Sequence, residues 1–163
     1  MQRKCRSLYH AQHAGTRHAE RVAMKIVLAV DGSAYTKRML SYIAAHDELV
    51  GKGNEFVALN VTAEVPPHAA RHLPRDVLQQ YYADEGEKVL APVREFARMQ
   101  GWPLRERHAV GYPGDMLAEI TNEEKPDLLV MGSHGHGVLA SALLGSVSSR
   151  LLAHTKAPVL LIR

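Results

Sequence analysis

Four short apolar runs, each closed by turn residues, constrain this chain more than anything else in it. They are Lys25-Ile-Val-Leu-Ala-Val30, Phe56-Val-Ala-Leu-Asn-Val61, Leu128-Leu-Val-Met131 and Val159-Leu-Leu-Ile162. A continuous β-branched run of this length predicts a strand covered on both faces. Between the runs, apolar residues recur at helical spacing. Met39, Leu40, Ile43 and Ala44 predict a helix over 34–50, with Ser33 as N-cap and Gly51 or Gly53 as its stop. Val77, Leu78, Tyr81, Tyr82, Val89, Leu90, Val93 and Phe96 predict helix over 75–100, which Pro92 should break, kink or divide. Residues 62–73, with Pro66 and Pro67, read as a loop. Leu104–Val110 alternates in polarity like an edge strand, Asp115–Glu123 is a short helix, and Ser146–His154 is the last helix. Strands alternating with helices give an α/β domain with a mainly parallel sheet and helices on both faces.

In such a sheet, ligands bind outside the carboxyl ends of the strands, where the strand order reverses. Those ends are Asp31-Gly32-Ser33, Val61-Thr62, Gly111-Tyr112 and Gly132-Ser133-His134-Gly135. The 163 residues suit one domain, and 24–163 shows no internal repeat. Residues 1–23 stand apart. Arg3, Lys4, Arg6, Arg17 and Arg21 against Glu20 make them +4, which leaves −1 for the rest of a chain whose net charge is +3. They read as a basic, disordered leader, with Met24 a plausible start. The nearly neutral body has no basic stripe interleaved with aromatics, which argues against nucleic acid. No apolar run approaches the roughly 18 residues that span a membrane. The single cysteine, Cys5, forms no internal disulfide and favours a reducing, cytoplasmic setting.

The chemistry lies in the glycines. Gly132-Ser-His-Gly135-His-Gly137 follows a buried strand, and Gly145-Ser146 opens the last helix. Glycines let backbone N–H groups approach an anion, and a helix N-terminus adds free donors and a favourable dipole. Ser146 and Ser148 add hydroxyls, so these parts can cradle a polyphosphate without a cationic side chain. Strand-to-helix turns are also glycine-rich for geometry alone. There is no Walker A loop. Gly135-x-Gly137-x-x-Ala140 imitates a dinucleotide fingerprint but follows a late strand, and 153–163 holds no acid. Gly132-Ser-His-Gly135 is one residue short of a nucleophile elbow. His134 with His136, and His68 with His72, have no cysteine or carboxylate at metal-ligand spacing, which argues against zinc.

Gly132-x2-Gly135-x9-Gly145-Ser146, with Ile26–Ser33 before it and Pro158-Val159-Leu160 after it, resembles the ATP-binding branch of the universal stress protein family over 24–163. The resemblance implies five parallel strands in the order 3-2-1-4-5, a Rossmann-like fold, a homodimer, and ATP with Mg²⁺ or Mn²⁺ held through the phosphates. Carried over, Ala29 borders the adenine and Val61 meets its edge. Asp31 lies near the ribose or the metal-bound phosphates. Met131, Gly132, Ser133, His134, Gly135, His136, Gly137 and Val138 wrap ribose and phosphates, and Gly145, Ser146, Val147 and Ser148 hold the phosphates. Asp31 also fits an Asx-turn, and Val61 plain core packing.

Spacing assigns no general base, P-loop lysine or arginine finger, so the expectation is binding with little turnover by a regulatory stress-response module. A slow nucleotide hydrolase or transferase of the same fold, and a nucleotide-free scaffold, stay open. The last strand, apolar to Ile162 and with no helix after it, is an edge that pairing with a second copy would cover.

Overall fold

The computed structural model describes residues 23–50, 53–135 and 144–163. The leader up to residue 22 and the loop residues His136, Gly137 and Val138 lie outside them. The elements run β1 (Lys25–Ala29), α1 (Ala34–Ala45), α2 (Asp47–Val50), β2 (Glu55–Ala63), α3 (Pro67–Ala70), α4 (Arg75–Gln100), β3 (Leu104–Gly111), α5 (Pro113–Glu124), β4 (Leu128–Gly132), α6 (Ser146–His154) and β5 (Val159–Ile162). The strands form one sheet in the order β3-β2-β1-β4-β5, every neighbouring pair parallel. This is the order the resemblance implies. No helix among the described residues is long and apolar enough to cross a membrane.

The central strands are apolar throughout because both faces are covered. On one face Ile26, Leu28, Val30, Phe56 and Ala58 pack against Met39 and Ile43 of α1 and Leu90, Val93 and Ala97 of α4. On the other, Val27, Leu59, Leu129 and Met131 pack against Leu117, Ala118 and Ile120 of α5 and Leu151 of α6. Trp102 closes the first layer, stacked on Phe56 at 4.6 Å with Phe96 edge-on at 5.6 Å.

Three sequence expectations need correction. Helix α4 runs unbroken through Pro92. Both Pro92 and Lys88, whose carbonyl loses its donor to the proline ring, are exposed, so the lost hydrogen bond lies on the solvent side of the helix, where it costs least. The predicted helix over 34–50 divides at His46, whose Nδ1 lies 2.8 Å from the Tyr42 carbonyl and whose ring stacks on Tyr42. Residues 62–73 are not all loop: β2 continues to Ala63 beside β3, and Pro67–Ala70 makes one helical turn.

That continuation shapes the functional end. β1 stops where Ala29 pairs with Leu59, while β2 runs four residues further. The step leaves the upper end of β1 recessed between its neighbours.

At the opposite end the carboxylate of Glu124, 6% exposed, closes α5. It accepts hydrogen bonds from Arg105 at 2.7 and 3.0 Å and from Arg107 at 3.0 Å, and pairs with Lys25 at 2.6 Å. The Arg105 guanidinium first, then Lys25, holds the Glu124 carboxyl at about 2, against 4.5 ordinarily. A lowered carboxylate contributes stability above its unfolded value, and loses it as pH falls from 4.5 towards 2. Discounted for the half-exposed arginines, the contribution is about 2 kcal/mol. Glu124→Gln should therefore lower the melting temperature at pH 7 by roughly 4–8 °C. The difference should narrow from about pH 4.5 downward and close as the pH falls through about 2, as thermal melts across that range would report.

Candidate functional site

The chain leaves β1 towards β2 and returns on the other side of β1 as β4, so the turns after β1 and β4 diverge at the switch point. A cavity of about 730 Å³ opens there. Its floor is the recessed end of β1, from Ala29 to Gly32, flanked by Asn60–Ala63 of β2 and by Met131 and Gly132 of β4. Pro113 and Leu117 of α5 make an apolar side with Ala29, Val61 and Met131. Leu144–Ser148, at the start of α6, forms another side, and Tyr81, Glu85, Lys88 and Val89 of α4 a third.

Asp31 ties these walls together. Its Oδ1 accepts from the Ser33 N–H at 3.0 Å and the Thr36 hydroxyl at 2.8 Å, and its own N–H donates to Thr36 Oγ1 at 3.1 Å. A Cβ on Gly135 would overlap Asp31 Oδ2. A Cβ on Gly132 would stand 2.6 Å from the Cβ of Tyr35. Both glycines are therefore fixed by close approach, which brings the β4 loop down onto the start of α1. Gly145 differs: its φ of −68° is ordinary, and among the described residues nothing stands closer than 3.6 Å to where its Cβ would lie.

The two helices that begin here are not equivalent. Ser33 caps α1 by accepting from the N–H groups of Tyr35 and Thr36. Gly145 gives α6 no side-chain cap. The N–H groups of Ser146, Val147 and Ser148 have no carbonyl four residues back within the helix, and these three residues line the cavity. Partial positive charge at this end suits an anion.

Eleven of the residues expected from sequence line this one cavity: Ala29, Asp31, Val61, Met131, Gly132, His134, Gly135, Gly145, Ser146, Val147 and Ser148. Ser133 lies behind the wall and is buried. Its N–H donates to the Ile162 carbonyl at 2.8 Å, its carbonyl accepts from the Gly145 N–H at 3.0 Å, and its Oγ meets His134 Nδ1 at 3.0 Å. The His134 ring lies 5.3 Å from that of Tyr35. Ser148 is in the wall, yet its hydroxyl donates to the carbonyls of Gly132 and Ser133 at 3.3 and 3.2 Å, so it anchors the loop to α6.

Sequence reasoning missed the α4 wall. Lys88 brings a cation to a cradle expected to have none. Glu85, three residues before it, hydrogen-bonds its ammonium and raises that pKa. An acid and a base three apart on a polar helix face look like any solvated pair, and only the fold aims them. Asn60 was also missed. Buried at the cavity floor, its Nδ2 donates to the Val30 carbonyl at 2.9 Å.

The family model described as the universal stress protein family matches residues 23–163. A universal stress protein of Thermus aquaticus is 31% identical over 139 residues, covering 85% of this chain and 97% of the relative. Among solved structures, the hypothetical protein MJ0577, a test case for assigning biochemical function from structure, superposes with a TM-score of 0.71 at 25% identity, over 85% of this chain and 94% of that one. A universal stress protein in complex with cAMP superposes with a TM-score of 0.57, also at 25% identity, over 86% of this chain and 96% of that one.

The geometry separates two serines that look alike in sequence. Ser148→Ala removes a buried anchor worth about 1 kcal/mol and should lower the melting temperature by roughly 2–4 °C. Ser146→Ala, at an exposed hydroxyl, should leave it unchanged. Differential scanning calorimetry of the two variants checks the assignment.

Proposed function

The chain belongs to the universal stress protein family, and from that membership and the shape of the cavity we propose that it binds an adenine nucleotide, ATP with a divalent cation, as a regulatory module of a stress response. The observation that carries the reading is the uncapped N-terminus of α6 opening on the same cavity as Gly132 and Gly135. Three backbone donors at a helix start suit a phosphate. The adenine fits the apolar side made by Ala29, Val61, Pro113, Leu117 and Met131, with the backbone of Val61 at its edge. His136, Gly137 and Val138 belong to the same loop and are assigned to ribose and phosphates with it. The relative solved with cAMP supports an adenine ligand.

Mg²⁺ or Mn²⁺ fits only as a companion of the phosphates. Among the described residues no group of three or more His, Cys, Asp or Glu could hold a metal ion. Mg²⁺ is commonly bound by one or two carboxylates together with substrate phosphates and water. Asp31 and Glu85 are the carboxylates in the wall. ATP and Mg²⁺ are cytoplasmic solutes, and the cytoplasm is the compartment this reading requires.

Rapid phosphoryl transfer needs an oriented nucleophile. Asp31, the acid at the glycine loop, already spends one oxygen on Ser33 and Thr36. We therefore expect a binding module, with turnover below about 1 s⁻¹, the low end for kinases; faster ATP hydrolysis with Mg²⁺ would favour the hydrolase. Gly135→Val should weaken ATP binding at least about tenfold, since overpacking costs about 1–3 kcal/mol, with the far-UV circular dichroism nearly unchanged. Calorimetric titration showing undiminished affinity would reject the site.

For the same chain we propose a homodimer through β5. That strand is at the sheet edge beside β4, and Val159, Leu160 and Leu161 are only half-buried. Antiparallel pairing with a second copy about a two-fold axis would satisfy the open edge. Leu161→Lys should give a monomer by light scattering, with a melting curve recorded beside it to show that the variant is folded. A folded variant that stays dimeric would move the contact elsewhere.

A further inference from the structure

Three fully charged side chains among the described residues line the cavity: Asp31, Glu85 and Lys88. Lys88 is the one lysine or arginine in that set. The α4 turn that carries it is pinned at two points. Beneath it, Gly86 is buried in the helix interior, and a Cβ there would stand 2.7 Å from His108 Cε1 and 2.8 Å from both ring nitrogens. No residue but glycine lets α4 lie so close to β3 without displacing that ring. The ring is itself held, with Nε2 2.9 Å from the hydroxyl of Thr62 in the cavity wall. Beside it, Val89 Cγ2 lies 3.4 Å from where a Cβ of Gly32 would be, next to Asp31. The backbone at Lys88 is thereby fixed over the turn after β1, while its side chain is 69% exposed and paired with Glu85.

We propose that Lys88 reads the phosphates beyond the first one and so selects nucleoside polyphosphates over monophosphates. The inference rests on the nucleotide reading above and deepens it. The α6 N-terminus and the described part of the glycine loop offer neutral N–H donors and no full positive charge. A triphosphate brings further negative charge into a cavity that already holds Asp31 and Glu85. An ammonium is a compact point charge suited to phosphate. That of Lys88 pairs with Glu85, three residues before it. That pair is exposed and weakly held, so exchanging Glu85 for a phosphate is cheap. The exchange also frees Glu85 to face the divalent cation that accompanies the polyphosphate.

The test is calorimetric titration of the full chain with ATP and with AMP, both in Mg²⁺ buffer, for the wild type, Lys88→Gln and Lys88→Arg. Lys88→Gln should weaken ATP binding by about tenfold, as expected for a hydrogen bond to a charged group, and AMP binding by less than about twofold. Lys88→Arg should recover most of the ATP affinity. The fall of ATP affinity with added salt should also be shallower in Lys88→Gln than in the wild type. If the wild type binds both nucleotides and Lys88→Gln weakens them equally, or weakens neither, Lys88 is not the selector and the nucleotide reading stands. If the wild type binds neither, the nucleotide reading falls and the role of Lys88 falls with it.

Discussion

The contact between Asp31 and Gly135 is the constraint on which the functional end depends. β1 and β4 are neighbours in the sheet, but the chains that leave them go to opposite faces, Asp31 into α1 and Gly135 towards α6. Divergence of that kind leaves a crevice. The absent side chain of Gly135 lets the carboxylate of Asp31 bridge it, and the same carboxylate holds the Ser33 N–H and the Thr36 hydroxyl. One acid thus organises the cap of α1 and the path of the glycine loop together. Ser33 then occupies the first donors of α1, so among the described residues the crevice donors without a side-chain cap are those of α6.

The strands and helices that build this end were legible from local pattern, since uninterrupted apolar runs and helical periodicity record burial directly. Strand order was not. Nothing in the period of a strand says which neighbour it takes, and 3-2-1-4-5 came with the resemblance carried by Gly132, Gly135 and Gly145. Pro92 misled because the cost of a proline inside a helix depends on which side the lost hydrogen bond faces, and here it faces water. His46 ends α1 through a side-chain contact with the Tyr42 carbonyl that no propensity encodes.

The candidate site divides the same way. Its glycines were legible because a missing side chain is conspicuous in sequence and because their spacing spans a loop and a helix start. Lys88 and Glu85 were not, since an acid–base pair on a polar helix face is the commonest surface pattern. Gly86 was the unread clue: a glycine in the middle of a long helix is unfavourable by about 1 kcal/mol relative to alanine, and the ring of His108 beneath it explains it. Ser148 was read for its ligand alone; a hydroxyl at a helix start can also serve the chain's own carbonyls, and here it donates to those of Gly132 and Ser133, a contact that no sequence pattern records.

The two ends of the sheet are built on opposite principles. At the amino end, Glu124 meets three cations and Trp102 fills the gap between Phe56 and Phe96, so charge is neutralised and apolar surface closed within the chain. At the carboxyl end, among the described residues, a helix start is left without a side-chain cap and two carboxylates share a cavity with one lysine. Supplying these groups internally would be simple: a serine or aspartate at position 145 would cap α6, and there is room for its Cβ among the described neighbours. Glycine at that position leaves the donors open. A ligand that meets them and binds the folded state alone stabilises it by an amount that grows with the logarithm of its concentration.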